Sequence, residues 1–267
     1  MQLSALYRYP LKSARGQALQ SSSLDALGLS GDRRWMLVER DNGRFLTQRA
    51  YPQMSQLTAL HGLDGNLTLE ASGRTALTVA VPPADSELRG VTIWRDTFRV
   101  PDAGDAAAHW LSEFIGKDVR LVYVPEERTR FLPGGYGLVS DRVAFADGFP
   151  LLLIGQGSLD DLVQRVGRPL EMQRFRPNLV VEGAAAFAED GWKRIRIGEM
   201  EFRVLKPCER CILTTIDPQT GERSPDREPL TTLKTYRLKE GDVLFGQNLV
   251  ADGAGVLEVG MPVTVLE

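Results

Sequence analysis

The chain's two cysteines stand three residues apart in the segment KPCERC, with Lys206 and Arg210 beside them. Cations next to a thiol favour the thiolate, which is both a nucleophile and a soft-metal ligand. The pair can be read as ordinary buried cysteines beside a turn, as a redox dithiol, or as a reactive or metal-binding thiol. The segment lacks the strand-to-helix setting of a thioredoxin-like pair. The only histidines, His61 and His109, are remote from it in sequence. A four-ligand zinc site would have to gather them by folding or borrow carboxylates, and two cysteines exclude an iron–sulfur cluster held by four.

A second group of residues suits an anion. In RFRPNLVVEG, Arg174, Arg176 and Asn178 precede an apolar strand. A planar guanidinium there can hold a phosphate through two parallel hydrogen bonds, although an arginine at a strand entrance also serves as a plain surface charge. YPLKS offers Lys12 and Ser13 in a loop after the first strand, and GDRRW places Arg33 or Arg34 just before another. The acid of FADGFP, Asp147, lies between Phe145 and Phe149. It is a turn former in an Asp-Gly pair or an acid whose pKa an apolar setting raises.

These residues must be positioned by a chain rich in short strands. RRWMLVERDNGRFLTQR reads as a hairpin turning at Asn42 and Gly43, and LTALHGLDGNLTLEA as another turning at Asp64 and Gly65. LTVAVP, VTIWRDTFRV, VRLVYVP, NLVVEG, RIRIG, EFRVL, DVLFGQNLVA and VTVLE read as further strands. Helical patterns are few. DAAAHWLSEFIG, at 105–116, carries an apolar stripe, a glycine stop and the expected start of a second unit. LDDLVQRV follows Ser158 as a candidate cap, and PLTTLKTYRL starts with a proline. The expectation is a mainly β chain with α insertions, α+β in class, divided into residues 1–103 and 104–267.

Composition sets the outer limits. Among 267 residues, 32 Lys and Arg stand against 35 Asp and Glu, and the net charge of -3 gives no reason to expect a polyanion-binding surface. The apolar run FPLLLI is far too short to cross a bilayer, and MQLSALYRYPLKSARG lacks the apolar core of a signal peptide. A cytoplasmic protein without nucleic-acid or membrane partners is the expectation.

Taken together and in this order, YPLKS, GDRRW, FRPNLVVEG, AEDGW, CILTTIDPQTGE and LFGQN resemble the MOSC-domain molybdenum proteins. The similarity is to the mitochondrial amidoxime-reducing component and bacterial reductases of N-hydroxylated bases, and it spans almost the whole chain. It implies an N-terminal MOSC β-barrel-like domain followed by a MOSC β-barrel domain. It also implies a molybdenum cofactor, a molybdopterin whose dithiolene gives the metal two sulfurs while a protein thiolate gives a third. By match to the motif that thiolate is Cys211, with Cys208 its neighbour. Lys12, Ser13, Arg33, Arg176, Asn178 and Arg210 would hold the phosphate and pterin, with Asn248 nearby and Asp147 as the proton source. The implied reaction reduces a small N-hydroxylated compound to the amine. Some bacterial relatives continue into a ferredoxin-like domain and this chain ends at VTVLE, so a separate flavin or iron–sulfur protein, or a cytochrome, is the expected electron donor. Two other roles fit a MOSC thiol: a sulfur carrier using a cysteine persulfide, and a chaperone that hands the pterin cofactor on.

Overall fold

The computed structural model describes residues 1–83 and 85–267. It is an α+β fold of β-sheet domains with helical insertions, and its largest sheet has nine strands. Along that sheet the order is Gln17–Leu19, Gln2–Arg8, Leu179–Glu182, Leu151–Gly155, Asp242–Ala251, Met200–Arg210, Arg194–Ile197 and Val263–Val265, with Leu238–Lys239 pairing beside Asp242–Ala251. The Val263 N–H donates to the Met1 carbonyl (3.0 Å) and the Leu3 N–H to the Met261 carbonyl (2.9 Å), tying the last strand back to the second. The sheet thereby closes into a barrel and leaves few open edges.

Side chains alternate across its wall, as a period of two requires. Leu151, Leu153, Leu179, Val181, Phe202 and Leu249 fill the interior. Leu152, Ile154, Val180 and Phe245 face outward, under helices α2 (Gln156–Val166) and α3 (Leu230–Tyr236). Strands Leu151–Gly155 and Leu179–Glu182 run parallel, with α2 as the crossover that parallel pairing needs. Gly246, at φ +83, lets Asp242–Ala251 approach closely, since a Cβ there would lie 2.8 Å from the Leu153 carbonyl oxygen.

The N-terminal unit is built from smaller sheets around Trp35, Leu37, Leu57, Leu67 and Leu69. The expected turns form: Gly43 has φ +66 with the Asn42 side chain accepting from the Arg44 N–H (2.8 Å), and Thr58–His61 pairs with Leu67–Glu70 around Gly65. Helix α1 (Asp105–Ile115) ends at Gly116 in the left-handed conformation, as its sequence indicates.

Three sequence expectations are corrected. Helix α1 does not open the second unit: Ala107, Leu111 and Ile115 pack into the N-terminal core, and Val119–Tyr123 pairs with Trp35–Glu39, so a division at 103/104 separates a helix from the core it covers. Conversely, Gln2–Arg8 belongs to the C-terminal barrel, antiparallel to Leu179–Glu182. Ser158 caps nothing, because α2 begins at Gln156 with Gly155 as its N-cap. Fully buried, the Ser158 hydroxyl instead donates to Glu189 Oε1 and accepts from the Phe187 N–H, both at 2.7 Å. Ser158→Ala removes the acceptor of the Phe187 N–H and one of the two donors to Glu189 Oε1, the other being the Gly155 N–H, and is expected to cost about 1–3 kcal/mol in urea unfolding. A loss near zero would remove this linkage as a stabilising element.

Candidate functional site

The exchange of the first strand into the distant barrel brings both ends of the chain to one cleft. Two backbone segments meet at its N-terminal wall. The Lys12 N–H donates to the Trp35 carbonyl (2.8 Å), the Arg33 N–H to the Tyr9 carbonyl (2.8 Å), and Asp32 Oδ1 accepts from the Tyr9 N–H (2.7 Å). YPLKS and GDRRW thus lie side by side, each presenting a residue in left-handed backbone: Ser13 at φ +68 and Arg33 at φ +46. Arg176, across the cleft, is a third at φ +56. Such backbone is uncommon outside glycine and costs on the order of 1 kcal/mol or more, so three instances on one cavity mark a site assembled for something other than stability.

The cleft holds a cavity of about 150 Å³, and the nine residues that the family resemblance assigns to the cofactor and the reaction all line it: Lys12, Ser13, Arg33, Asp147, Arg176, Asn178, Arg210, Cys211 and Asn248. Arg33 donates to Asp32 Oδ2 (2.5 Å), Asn178 Oδ1 (2.9 Å) and the Arg176 carbonyl (3.2 Å). Its neighbour Arg34 turns away, to the Val124 carbonyl and the Tyr123 ring. Arg176 donates to the Ala14 carbonyl (2.7 Å), and both Arg33 and Arg176 stack on the ring of Tyr9, at 4.4 and 4.2 Å. Burial, followed by repulsion from Arg33, pulls Arg176 down to about 10. Asn178 is fully buried and positions its neighbours: its Oδ1 also accepts from the Leu152 N–H (3.2 Å), and its Nδ2 donates to the Tyr7 carbonyl (3.1 Å).

The cysteines are both free thiols, and each lines the cleft differently. Cys208 lies in strand Met200–Arg210, packs against the outer apolar cluster and has Arg210 Nη1 at 2.8 Å from its sulfur. Cys211, one residue beyond the strand, is exposed to the cleft, with Arg49 Nη1 at 3.9 Å. The sequence after it fixes that presentation. Thr214 donates its N–H (3.1 Å) and its hydroxyl (3.0 Å) to the Cys211 carbonyl, and the Thr215 hydroxyl donates to the Ile212 carbonyl (2.7 Å), making a tight turn. Asp217 then accepts from the Gln219 and Thr220 N–H groups and from Arg174 at 2.7 Å. Arg174, expected as part of an anion clamp, is therefore a tie between the FRPN segment and the cysteine turn.

Lys12 and Asp147 form an ion pair at 2.5 Å, and the Lys12 ammonium also donates to the Phe145 carbonyl (2.8 Å). The expected rise in the Asp147 pKa does not occur. Burial pushes it upward, but the charge and hydrogen bond of Lys12, then Arg49 and Arg33, outweigh this and hold it at about 2. Its side chain is 70% exposed to the cleft, which weakens the desolvation further. Burial pulls Lys12 to about 8 despite Asp147. Both partners are thus charged across the mildly acidic and neutral range, Asp147 being half titrated at about pH 2 and Lys12 at about pH 8.

Sequence reading missed Arg49, which lines the cleft and packs its guanidinium 4.7 Å from the Trp94 ring. It belongs to no motif, and only the hairpin that carries it brings it to the thiol. It also missed Tyr9 as the ring under two arginines. The donor set fits a molybdopterin: an exposed thiol for a soft metal, a buried Arg210 Nε without a partner among the described residues, and several cations beside few carboxylates. Among the described residues no group of three or more His, Cys, Asp or Glu side chains could hold a metal by itself.

Comparison with known proteins matches residues 1–118 to the MOSC N-terminal beta barrel domain and residues 140–264 to the MOSC domain. Mitochondrial amidoxime-reducing component 1 of Mus musculus is 34% identical, covering 99% of this chain and 82% of that protein. Mitochondrial amidoxime reducing component 2 of Bos taurus is also 34% identical, over 98% of this chain and 82% of its own. The molybdenum cofactor sulfurase of Oryza sativa subsp. japonica is 32% identical over 91% of this chain, which spans 32% of that protein. The names of the reducing components overturn the expectation of a cytoplasmic protein, since these near full-length relatives are mitochondrial. Among the described residues no helix is long and apolar enough to cross a membrane. By this similarity along its whole length, the chain belongs to the MOSC-domain family of the amidoxime-reducing components.

Proposed function

We propose that the chain is a molybdenum-cofactor-dependent oxidoreductase that reduces N-hydroxylated compounds to amines, with Cys211 as the protein's ligand to the metal. The observation that carries this is the convergence of Lys12, Ser13, Arg33, Arg176 and Arg210 with an exposed Cys211 thiol on one cleft. When bound, the cofactor supplies a metal that exchanges two electrons with the substrate. The chain's own residues supply the rest. Arg33, Arg176 and Arg210 offset the negative charge of a phosphate, Ser13 offers it a hydroxyl, and Asn178 holds Arg33 in place. Asn248 lines the same cleft and would offer its amide to the bound cofactor.

Reduction of an N-hydroxy group consumes two protons and two electrons and releases water. A carboxylate at about 2 is a poor donor at neutral pH, whereas an ammonium at about 8 is well matched to it. We assign the proton source to the Lys12–Asp147 pair, with Lys12 as the donor and Asp147 as the group that orients it. Because the Lys12 pKa is lowered, its charged form is lost as pH rises through about 8, so turnover is expected to fall on that alkaline side. Electrons come from a separate redox protein, of flavin or iron–sulfur type. The N-terminal domain is proposed to extend through Tyr123, with Gln2–Arg8 donated to its partner.

A sulfur-carrier role is the second reading, favoured by the similarity to the cofactor sulfurase and by the accessibility of Cys211. Protein expressed in a host that makes the cofactor separates the two. Near-stoichiometric molybdenum and pterin, with conversion of benzamidoxime to benzamidine by an artificial electron donor, supports the reductase. Metal-free protein carrying a persulfide on Cys211 overturns it.

A further inference from the structure

A second chamber lies beside the cleft, and among the described residues Asp147 alone lines both. Its lining mixes Trp94, Phe98, Phe131, Leu132 and Pro133 with charged and polar side chains, three of them arginines. Trp94 stands at the junction. Its indole N–H donates to Asp147 Oδ1 (3.3 Å), Arg49 lies 4.7 Å from its ring, and Phe45 packs at its edge at 5.0 Å. The Arg49 guanidinium in turn comes within 3.9 Å of the Cys211 sulfur. The tryptophan thus touches both an acid of the cleft wall and the arginine beside the thiol, yet remains 45% exposed, as Phe131 remains 62% exposed.

The backbone beneath it is unfavourable. Trp94 and Arg95 make the two-residue turn between Leu88–Ile93 and Asp96–Pro101, and Trp94 has φ +54. Such turns favour Asn-Gly or Asp-Gly, and a bulky residue in left-handed backbone is an outlier. An exposed aromatic held there against its own conformational preference serves what its ring faces.

We propose that this chamber is the subsite for the body of the substrate, in which Trp94 stacks on a planar aromatic ring while the Asp147 carboxylate accepts an N–H from its amidine-like nitrogen. This rests on the reductase reading above and adds the preference within it: aromatic over small N-hydroxylated compounds. A carboxylate and an aromatic face together suit a flat nitrogen base, and a base held on Asp147 lies at the wall that this chamber shares with the cleft of Cys211.

The test compares Trp94→Ala and Trp94→Phe with wild-type holoprotein, using benzamidoxime and hydroxylamine as probes. Circular dichroism and molybdenum content first confirm that each variant is folded and loaded. For Trp94→Ala, kcat/KM is expected to fall about tenfold more for benzamidoxime than for hydroxylamine, mainly through KM, with Trp94→Phe restoring most of the difference. Benzamidoxime binding to the same proteins, followed by ligand-detected NMR without turnover, is expected to weaken in parallel. Equal losses for both substrates, or unaltered NMR binding in Trp94→Ala, overturn the subsite. Failure of the wild type to reduce either probe overturns the reductase reading instead, and the NMR comparison then judges the subsite by itself.

Discussion

Cys211→Ser is expected to leave the metal with one sulfur fewer, read by X-ray absorption, and to lower turnover by more than about a hundredfold. Changes one shell further out already cost ~10–100-fold in metal affinity or activity. Cys208→Ser is expected to keep the sulfur count and most of the activity. The asymmetry comes from what each thiol touches. Cys208 sits within a strand, packs on the outer cluster and meets the Arg210 guanidinium. Cys211 projects from the residue after the strand ends, above a turn locked by Thr214 and Thr215, with the Arg49 guanidinium 3.9 Å from its sulfur. A hydroxyl at 211 has nearly the same shape but not the soft donor, so the fold should be intact while the bond is lost. If both serine variants lose the same sulfur, or neither does, the ligand assignment is wrong.

What the sequence disclosed, and what it withheld, divides by the range of the interactions involved. The Asn42-Gly43 and Asp64-Gly65 turns are written in adjacent residues, because positive φ is a local demand. The glycine stop of α1 is local in the same way. That the candidate site residues share one cleft was legible for another reason: residue type alone carries their chemistry, and the motif order supplied their grouping. The destination of Gln2–Arg8 was not legible. Its alternation identifies a strand, but its partner Leu179–Glu182 lies at the far end of the chain, and nothing local distinguishes that pairing from one with a neighbouring hairpin. The Asp147 pKa failed similarly. Phe145 and Phe149 are visible beside it in sequence, whereas Lys12, which reverses the sign of the shift, arrives by folding. Ser158 looked like a cap because its covalent neighbours suit one, and the competing partner, Glu189, is again remote.

Arg176→Met is expected to separate stability from cofactor retention, in opposite directions. Arg33 has Asp32 against it, but Arg176 has no carboxylate partner among the described residues and shares the Tyr9 ring with a like charge. Its pKa falls from the ordinary guanidinium range to about 10. A depressed cation means that the fold disfavours the charged form, so at neutral pH, where folded and unfolded chains are both protonated, Arg176 weakens the protein without cofactor by on the order of 3 kcal/mol. The penalty is relieved only as pH rises above about 10. Methionine keeps an unbranched side chain at the same strained φ, loses the hydrogen bond to the Ala14 carbonyl worth about 1 kcal/mol, and removes the charge. Cofactor-free Arg176→Met should therefore unfold at the same or higher urea concentration than wild type. Its affinity for the cofactor should drop by more than about a hundredfold, because an anionic group loses a partly desolvated cation. Phosphate or pyrophosphate should raise the melting temperature of cofactor-free wild type and do so less in the variant. A variant that unfolds much more easily yet retains its pterin would mean that Arg176 is a structural strut, and that the cleft's surplus of positive charge is not there to receive an anion.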